Sequence, residues 1–385
     1  MRVARRVLDL SPYLFAELDR KAAAKRAEGA DVISLGVGDP DMPTPAHIVE
    51  ALSRAATDPA THQYPSYYGL PAFREAIAAW YGRRFGVHLD PDSEVLPLVG
   101  SKEGLAHLSL AFIDPGDLAL VPDPGYPVYA AGTALAGGRA EALPLLAEDG
   151  FLPRLGQTSV PEGTKVLWLN YPSNPTAAVA ELSLFEEAIA LAGRHDFLFC
   201  HDAAYSEITF DGYVAPSALQ VPGAKEVALE FGSLSKTYNM TGWRIGFAVG
   251  SPVAIRALAA LKTNLDSGVF NAVQLAGVAA LTGPQDAVEA MRAVYQKRRD
   301  VVVATFRDAG IHVEPPLGSI YVWVPTPGRR SSADFAGELL EEAAVVVTPG
   351  TGYGPGGEGF IRISLTVPGA RLEEAMDRIR SHLAR

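Results

Sequence analysis

Lys236 stands in Gly232-Ser233-Leu234-Ser235-Lys236-Thr237, and Arg244 follows eight residues later behind Gly242 and Trp243. A lysine amine can take an aldehyde as a Schiff base, and a guanidinium can hold an anion through charge-assisted hydrogen bonds. Alone, a lysine in a loop is ordinarily just solvated. Three other clusters carry comparable chemistry. Gly100-Ser101-Lys102-Glu103-Gly104 precedes a helical pattern, which puts free backbone N–H groups and a hydroxyl at a helix N-terminus, a place that attracts anions. Its plain alternative is a glycine turn with a serine N-cap, since it matches neither a Walker loop nor a dinucleotide fingerprint. Asn170-Tyr171-Pro172-Ser173-Asn174-Pro175-Thr176 is a proline-fixed turn that presents the Asn174 amide, although such turns often serve only to stop a strand. His201 and Asp202, with Tyr205 three residues on, offer a carboxylate that needs a cation unless it merely caps a helix.

The elements that must position these groups are short apolar runs alternating with longer helical patterns. Runs at 95–99, 118–121, 166–169, 197–200, 227–231 and 245–249 are uniformly apolar, and segments such as 182–192 have amphipathic helical spacing. This alternation predicts a largely parallel α/β sheet covered on both faces. In such sheets ligands gather beyond the carboxyl ends of the strands, and every cluster above follows one of the runs. Together the ends supply an anion nest, an amide, a carboxylate, a phenol, a lysine and an arginine. That inventory suits pyridoxal phosphate, which needs an amine for its aldehyde, a carboxylate for its ring nitrogen, donors for its phenolic oxygen and a cradle for its phosphate. The last hundred residues read differently: a long helix at 288–309, short strands at 320–324, 345–347 and 360–364, and a closing helix at 371–383 predict a smaller α+β unit. An N-terminal helix at 13–28 and the loop from Gly36 to Asp41 pack on either unit as far as sequence decides.

The same motifs resemble a known family. Ser233-x-Ser235-Lys236, Arg244, Asn170-Tyr171-Pro172-x-Asn174-Pro175 and Asp202-x-x-Tyr205 are similar to those of class I aminotransferases of fold type I, which use pyridoxal 5'-phosphate. The match runs from Leu35-Gly36-Val37-Gly38-Asp39-Pro40 to Phe360-Ile361-Arg362-Ile363-Ser364. Gly100-Ser101-Lys102-Glu103-Gly104, Pro122-Asp123-Pro124-Gly125-Tyr126-Pro127, His201-Asp202-Ala203-Ala204-Tyr205 and residues 235–242 resemble the LL-diaminopimelate aminotransferase branch.

The resemblance implies an α/β fold of type I: a large, mostly parallel, doubly wound sheet domain at 46–284, and a smaller α+β domain at 285–385 joined by residues 1–45. It implies a catalytic set of Lys236, Asp202 and Tyr205. Lys236 carries the cofactor and, once released, moves the proton between substrate Cα and cofactor C4′. Asp202 pairs with the pyridinium nitrogen, Tyr205 and Asn174 hold the phenolic oxygen, and Tyr126 stacks on the ring. Ser101, the backbone N–H of Lys102, Ser233 and Arg244 share the phosphate, joined by Tyr64 of a neighbouring subunit. Arg362, Gly38 and Asn174 bind the substrate, with Arg362 forking the α-carboxylate. The composite site implies a homodimer. No metal is implied. Ala177 departs from the pattern, since many relatives have glycine there; alanine costs energy if the position needs positive φ.

Composition narrows the field further. At 385 residues the chain has room for roughly two to three domains. Hydrophobic residues at 48% and charged residues at 20% exclude wholesale disorder. The net charge of -11 offers no broad basic face to nucleic acid. Cys200 is the single cysteine, no 18-residue apolar span occurs, and the N-terminus lacks a secretory pattern, so a soluble protein of the cytoplasm is expected. The expected activity is transfer of an amino group between an amino acid and a 2-oxo acid, with 2-oxoglutarate and glutamate as one pair and LL-diaminopimelate as a pathway substrate. Aspartate, alanine or aromatic specificity stays open, as do a carbon–sulfur lyase and a non-catalytic binding protein on the same fold. Tyr13, Phe15, Lys102, Glu103 and a partner's residues 267–270 are candidates for reading the far end of the substrate.

Overall fold

The computed structural model describes residues 1–385 except Asp9, residues 11–13 and Arg329, and describes only the backbone of 14–19. The strands in chain order are β1 (Ile33–Ser34), β2 (Val95–Leu98), β3 (Leu118–Asp123), β4 (Arg139–Pro144), β5 (Thr164–Asn170), β6 (Leu198–Asp202), β7 (Ala228–Ser233), β8 (Gly246–Gly250), β9 (Tyr321–Pro325), β10 (Val345–Val346), β11 (Thr348–Pro349) and β12 (Phe360–Ser364). Seven of them form one sheet in the order β2-β8-β7-β6-β5-β3-β4. All neighbours run parallel except β8, which is antiparallel to both β2 and β7.

The apolar runs become central strands because both faces are covered. Along β5, Val166 and Trp168 join one buried cluster while Leu167 and Leu169 join the other; Phe199 and Cys200 of β6 divide the same way. Period-two alternation therefore feeds two cores, and each large apolar side chain buried there contributes about 1.5–3 kcal/mol. Six of the seven strands coincide with the expected runs to within two residues at each end. The seventh, β4, went unpredicted. Its sequence, Arg-Ala-Glu-Ala-Leu-Pro, lacks β-branched residues, and only Leu143 within it is buried, as befits an edge strand blunted by charge and proline.

The C-terminal residues build a second, three-stranded antiparallel sheet in the order β11-β12-β9. Helices Asp286–Asp308 and Gly369–Leu383 pack together, and the former also touches β9. The N-terminal segment joins this unit: β1 pairs parallel with β10, and Ala22 and Val32 pack on Leu340 and Val346. Among the described residues no helix is long and apolar enough to cross a membrane.

Candidate active site

A cavity of about 380 Å³ opens where the carboxyl ends of β5, β6 and β7 face the C-terminal unit. Its first end is built for an anion. Helix Ser101–Phe112 starts behind Gly100, whose φ of 78° is open to glycine and costly for other residues. Gly100 is the N-cap and no side chain caps this helix, so the serine-cap alternative does not hold. A Cβ at Gly100 would fall 2.1 Å from Arg244 Nη2, and one at Gly246 would fall 2.8 Å from the Ser101 amide nitrogen. Two missing side chains thus leave room for backbone N–H groups and a guanidinium to converge. Arg244 is itself left-handed at φ 53° and donates Nη1 to the Thr241 carbonyl at 2.8 Å, which orients its other nitrogens. Ser233 caps the short helix Leu234–Thr237 by accepting from the Ser235 N–H at 3.2 Å.

The middle of the cavity holds the titrating groups. Lys236 is no solvated loop lysine: it sits in that short helix, and burial pushes its ammonium down to about 8, with Asp39 opposing and Arg362 and Arg244 assisting. Its Nζ donates to the Gly38 carbonyl at 2.7 Å. Asp202, at the tip of β6, is 4% exposed and accepts from the Tyr129 hydroxyl at 2.7 Å and the Ala204 N–H at 3.3 Å. Burial raises its pKa against those two donors and the field of His201. Among the described residues it makes no ion pair, so a protonated ring nitrogen in the cavity would supply the missing cation. Tyr205 is buried and its hydroxyl is pushed up by desolvation, which keeps it a donor at ordinary pH.

The far end presents a buried guanidinium. Arg362, on β12, is 1% exposed; its Nη1 donates to Asn174 Oδ1 and its Nη2 to the Gly36 carbonyl, each at 2.6 Å. Asn174 is in turn anchored by its backbone N–H on Asn170 Oδ1 at 2.7 Å, while Asn170 Nδ2 donates to the Asp202 carbonyl at 2.7 Å.

Of the residues expected from sequence, Lys236, Asp202, Tyr205, Ser101, Lys102, Tyr126, Asn174, Ser233, Arg244, Gly38 and Arg362 all line this one cavity. Tyr64 does not, and it is 87% exposed. Tyr13 and the Phe15 side chain lie outside the described residues. Glu103 turns from the cavity to the Val99 N–H, His107 and Lys262. Two residues went unforeseen: Tyr129, which holds Asp202, and Tyr321, which meets both Tyr205 and Arg362. Tyr129 lies in the helix Val128–Ala136, just after the Tyr126-Pro127 turn, and only the assembled fold brings its hydroxyl to Asp202.

Residues 30–379 match the family model described as aminotransferase class I and II. The chain belongs to that family. It is 55% identical over 387 residues to the LL-diaminopimelate aminotransferase of Moorella thermoacetica, covering 100% of this chain and 99% of that one. A substrate-bound BacF from Bacillus subtilis superposes with a TM-score of 0.95 at 39% identity, covering 99% of this chain and 98% of the other. A single mutant of Thermus thermophilus aspartate aminotransferase reaches 0.93 at 32% identity, covering 99% and 100%. The enzyme is therefore a fold type I transaminase that uses pyridoxal 5'-phosphate to move an amino group between an amino acid and a 2-oxo acid. The site fits that cofactor: the anion nest kept open at Gly100 and Gly246, the buried unpaired carboxylate and the partly neutral amine match its phosphate, ring nitrogen and aldehyde.

Proposed function

We propose that this aminotransferase takes LL-diaminopimelate as its amino substrate, with 2-oxoglutarate and glutamate as the exchanging pair. The observation that carries the reading is full-length 55% identity to a relative of that name, against 39% or less for the structurally similar proteins compared above. The cavity supports it. LL-Diaminopimelate ends in a second ammonium and carboxylate, and Asp39 and Lys102, of opposite charge, both line the cavity.

In this reading the anion end, Ser101, the Lys102 N–H, Ser233 and Arg244, holds the cofactor phosphate, and Tyr126 covers the ring. Pyridoxal phosphate, when bound, supplies the electron sink that makes the substrate Cα–H acidic. Asp202, held by Tyr129, keeps the proton on the ring nitrogen. Tyr205 and Asn174 donate to the phenolic oxygen. Arg362 forks the α-carboxylate, and the glycine at 38 lets the chain come close to it. Lys236 would hold the cofactor's aldehyde and, with its amine free, would take and return the proton at the substrate Cα. Its depressed basicity suits that exchange near neutral pH.

Tyr64, with Tyr67 and Tyr68 exposed beside it, is proposed to complete the phosphate site of a second subunit in a homodimer. The proposed division is a cofactor domain at 46–284, which contains the whole seven-stranded sheet, and a small domain of 1–45 and 285–385, which shares the β1–β10 pairing. A panel of amino donors tests the substrate: without an acceptor LL-diaminopimelate should convert the enzyme stoichiometrically to the pyridoxamine form, and with 2-oxoglutarate it should give the highest kcat/KM. Higher kcat/KM with aspartate, alanine or an aromatic amino acid would reassign it, and pyruvate and ammonia released from a thioether would make it a lyase.

A further inference from the structure

Tyr321, the first residue of β9, is 3% exposed and touches three parts of the site at once. The Arg362 guanidinium carbon lies 3.8 Å from the centre of its ring and 4.9 Å from the centre of the Tyr353 ring. Its hydroxyl is 3.2 Å from the Tyr205 hydroxyl. A Cβ built on Gly38 would fall 1.9 Å from Tyr321 Oη, so Gly38 has no side chain because this phenol occupies the space; the Gly38 carbonyl is also where Lys236 Nζ rests. Held by Tyr205 and stacked on Arg362, the phenol cannot swing away to make room.

Two consequences follow from chemistry. A guanidinium lying on an aromatic face keeps its plane and fork direction, which is what bidentate reading of a carboxylate needs. And a phenol has one proton: if Tyr205 donates to an anionic oxygen in the cavity, the contact between the two hydroxyls must be donated by Tyr321. A donor supplied to Tyr205 in turn makes it the stronger donor.

We propose that Tyr321 is a positioning residue for transamination, fixing the fork of Arg362 with its ring and the proton order of Tyr205 with its hydroxyl. The proposal rests on the roles given above to Arg362 and Tyr205. It is tested on the holoenzyme with two readouts: the pH midpoint of the bound cofactor's absorbance change, and the Kd of 2-oxoglutarate for the pyridoxal form, with which it does not react. Tyr321→Phe keeps the ring and loses the donor. Its midpoint should rise by about half a pH unit, because an oxygen less well hydrogen-bonded leaves its charge to be balanced by a retained proton. Its Kd should stay within about twofold. Tyr321→Leu should show the same midpoint shift and a Kd about tenfold higher. An unmoved midpoint in Tyr321→Phe, or an unmoved Kd in Tyr321→Leu, overturns the proposal. Should the leucine variant fail to take up cofactor, the phenylalanine titration decides alone. Tyr205→Phe and Arg362→Ala serve as references: if they leave midpoint and Kd unchanged, the site assignment itself fails, whereas a response from them without one from Tyr321 sinks only this inference.

Discussion

His201 and Asp202 are neighbours on β6, so their side chains leave the sheet on opposite faces. Both are buried, yet their surroundings differ in kind. Behind the sheet, His201 sets Nδ1 against Glu230 Oε2 at 2.8 Å and Nε2 against the Tyr171 carbonyl at 3.0 Å. Glu230 also accepts from the Tyr81 and Ser217 hydroxyls, at 2.7 and 2.8 Å, and from the Ala218 N–H at 2.8 Å. Burial works against its charge, but His201, Tyr81 and Ser217 outweigh it and hold the carboxyl below the usual range. In front of the sheet, Asp202 has two donors and an open cavity, and burial wins, raising its pKa. Buried polarity therefore does not mark function here. What marks it is polarity left incomplete toward a space that a ligand can fill.

Lys236 offers the sharpest break between the two faces. If the roles proposed for it hold, replacing it by alanine should lower transfer by at least about 10⁴-fold, since nucleophile and base would be lost together. Its front-face cost should also be visible without cofactor. The folded ammonium titrates at about 8 and the unfolded one at 10.5. Below pH 8 both states are charged and the folded one carries the full desolvation penalty. Between about 8 and 10.5 the unfolded state binds more protons, so stability rises with pH through that window. The cofactor-free Lys236→Met variant should be more stable at pH 7 by up to about 3 kcal/mol and should lack this rise; chemical denaturation at pH 7 and 9 compares the two. A slope unchanged by the substitution would show that another group carries it.

Asp202 and Glu230 test the contrast directly. Glu230→Ala takes the acceptor from the buried Tyr81 and Ser217 hydroxyls, the Ala218 N–H and Nδ1 of His201, and should cost about 3–5 kcal/mol of stability, read by denaturant melts. Whatever protein still folds should retain most of its transfer rate. Asp202→Ala should do the opposite: little loss of stability, retained pyridoxal phosphate, and Cα proton exchange slowed by about 10²–10³-fold. Matching effects in the two variants would erase the distinction between a closed network and an open one.

Much of the front face was legible in the sequence because strand ends concentrate ligands and each motif there pairs a chemical group with a turn. The central strands were legible too, their apolar runs matching a sheet covered on both sides. The back face was not. Glu230 sits in mid-strand among apolar residues, and Tyr81 and Ser217 come from a helix and a loop 149 and 13 residues away in the chain, so only the assembled fold reveals that they meet. Tyr321 was hidden for the same reason: an aromatic residue in a short strand reads as core until Arg362 is seen lying on it. β4 was missed because an exposed edge strand need not look apolar.

The smallest expected effect lies in the turn that presents Asn174. Ala177 is 2% exposed and has φ of 57°, so the branch of the sequence argument in which alanine costs energy is the one realised. The left-handed region costs an L-residue about 1–2 kcal/mol, while a glycine there would lose about 0.4–1 kcal/mol more chain entropy on folding. The remainder favours Ala177→Gly by up to about 1.6 kcal/mol, a rise of no more than a degree or two in Tm. Transfer should not change, because Asn174 is positioned by Asn170 and Arg362 and not by the residue that closes the turn on Ser173 at 3.2 Å. Calorimetry and kcat on the same variant separate the two statements. A lower Tm would mean that the packed methyl outweighs the backbone strain, and an altered kcat would mean that the turn's shape reaches the site.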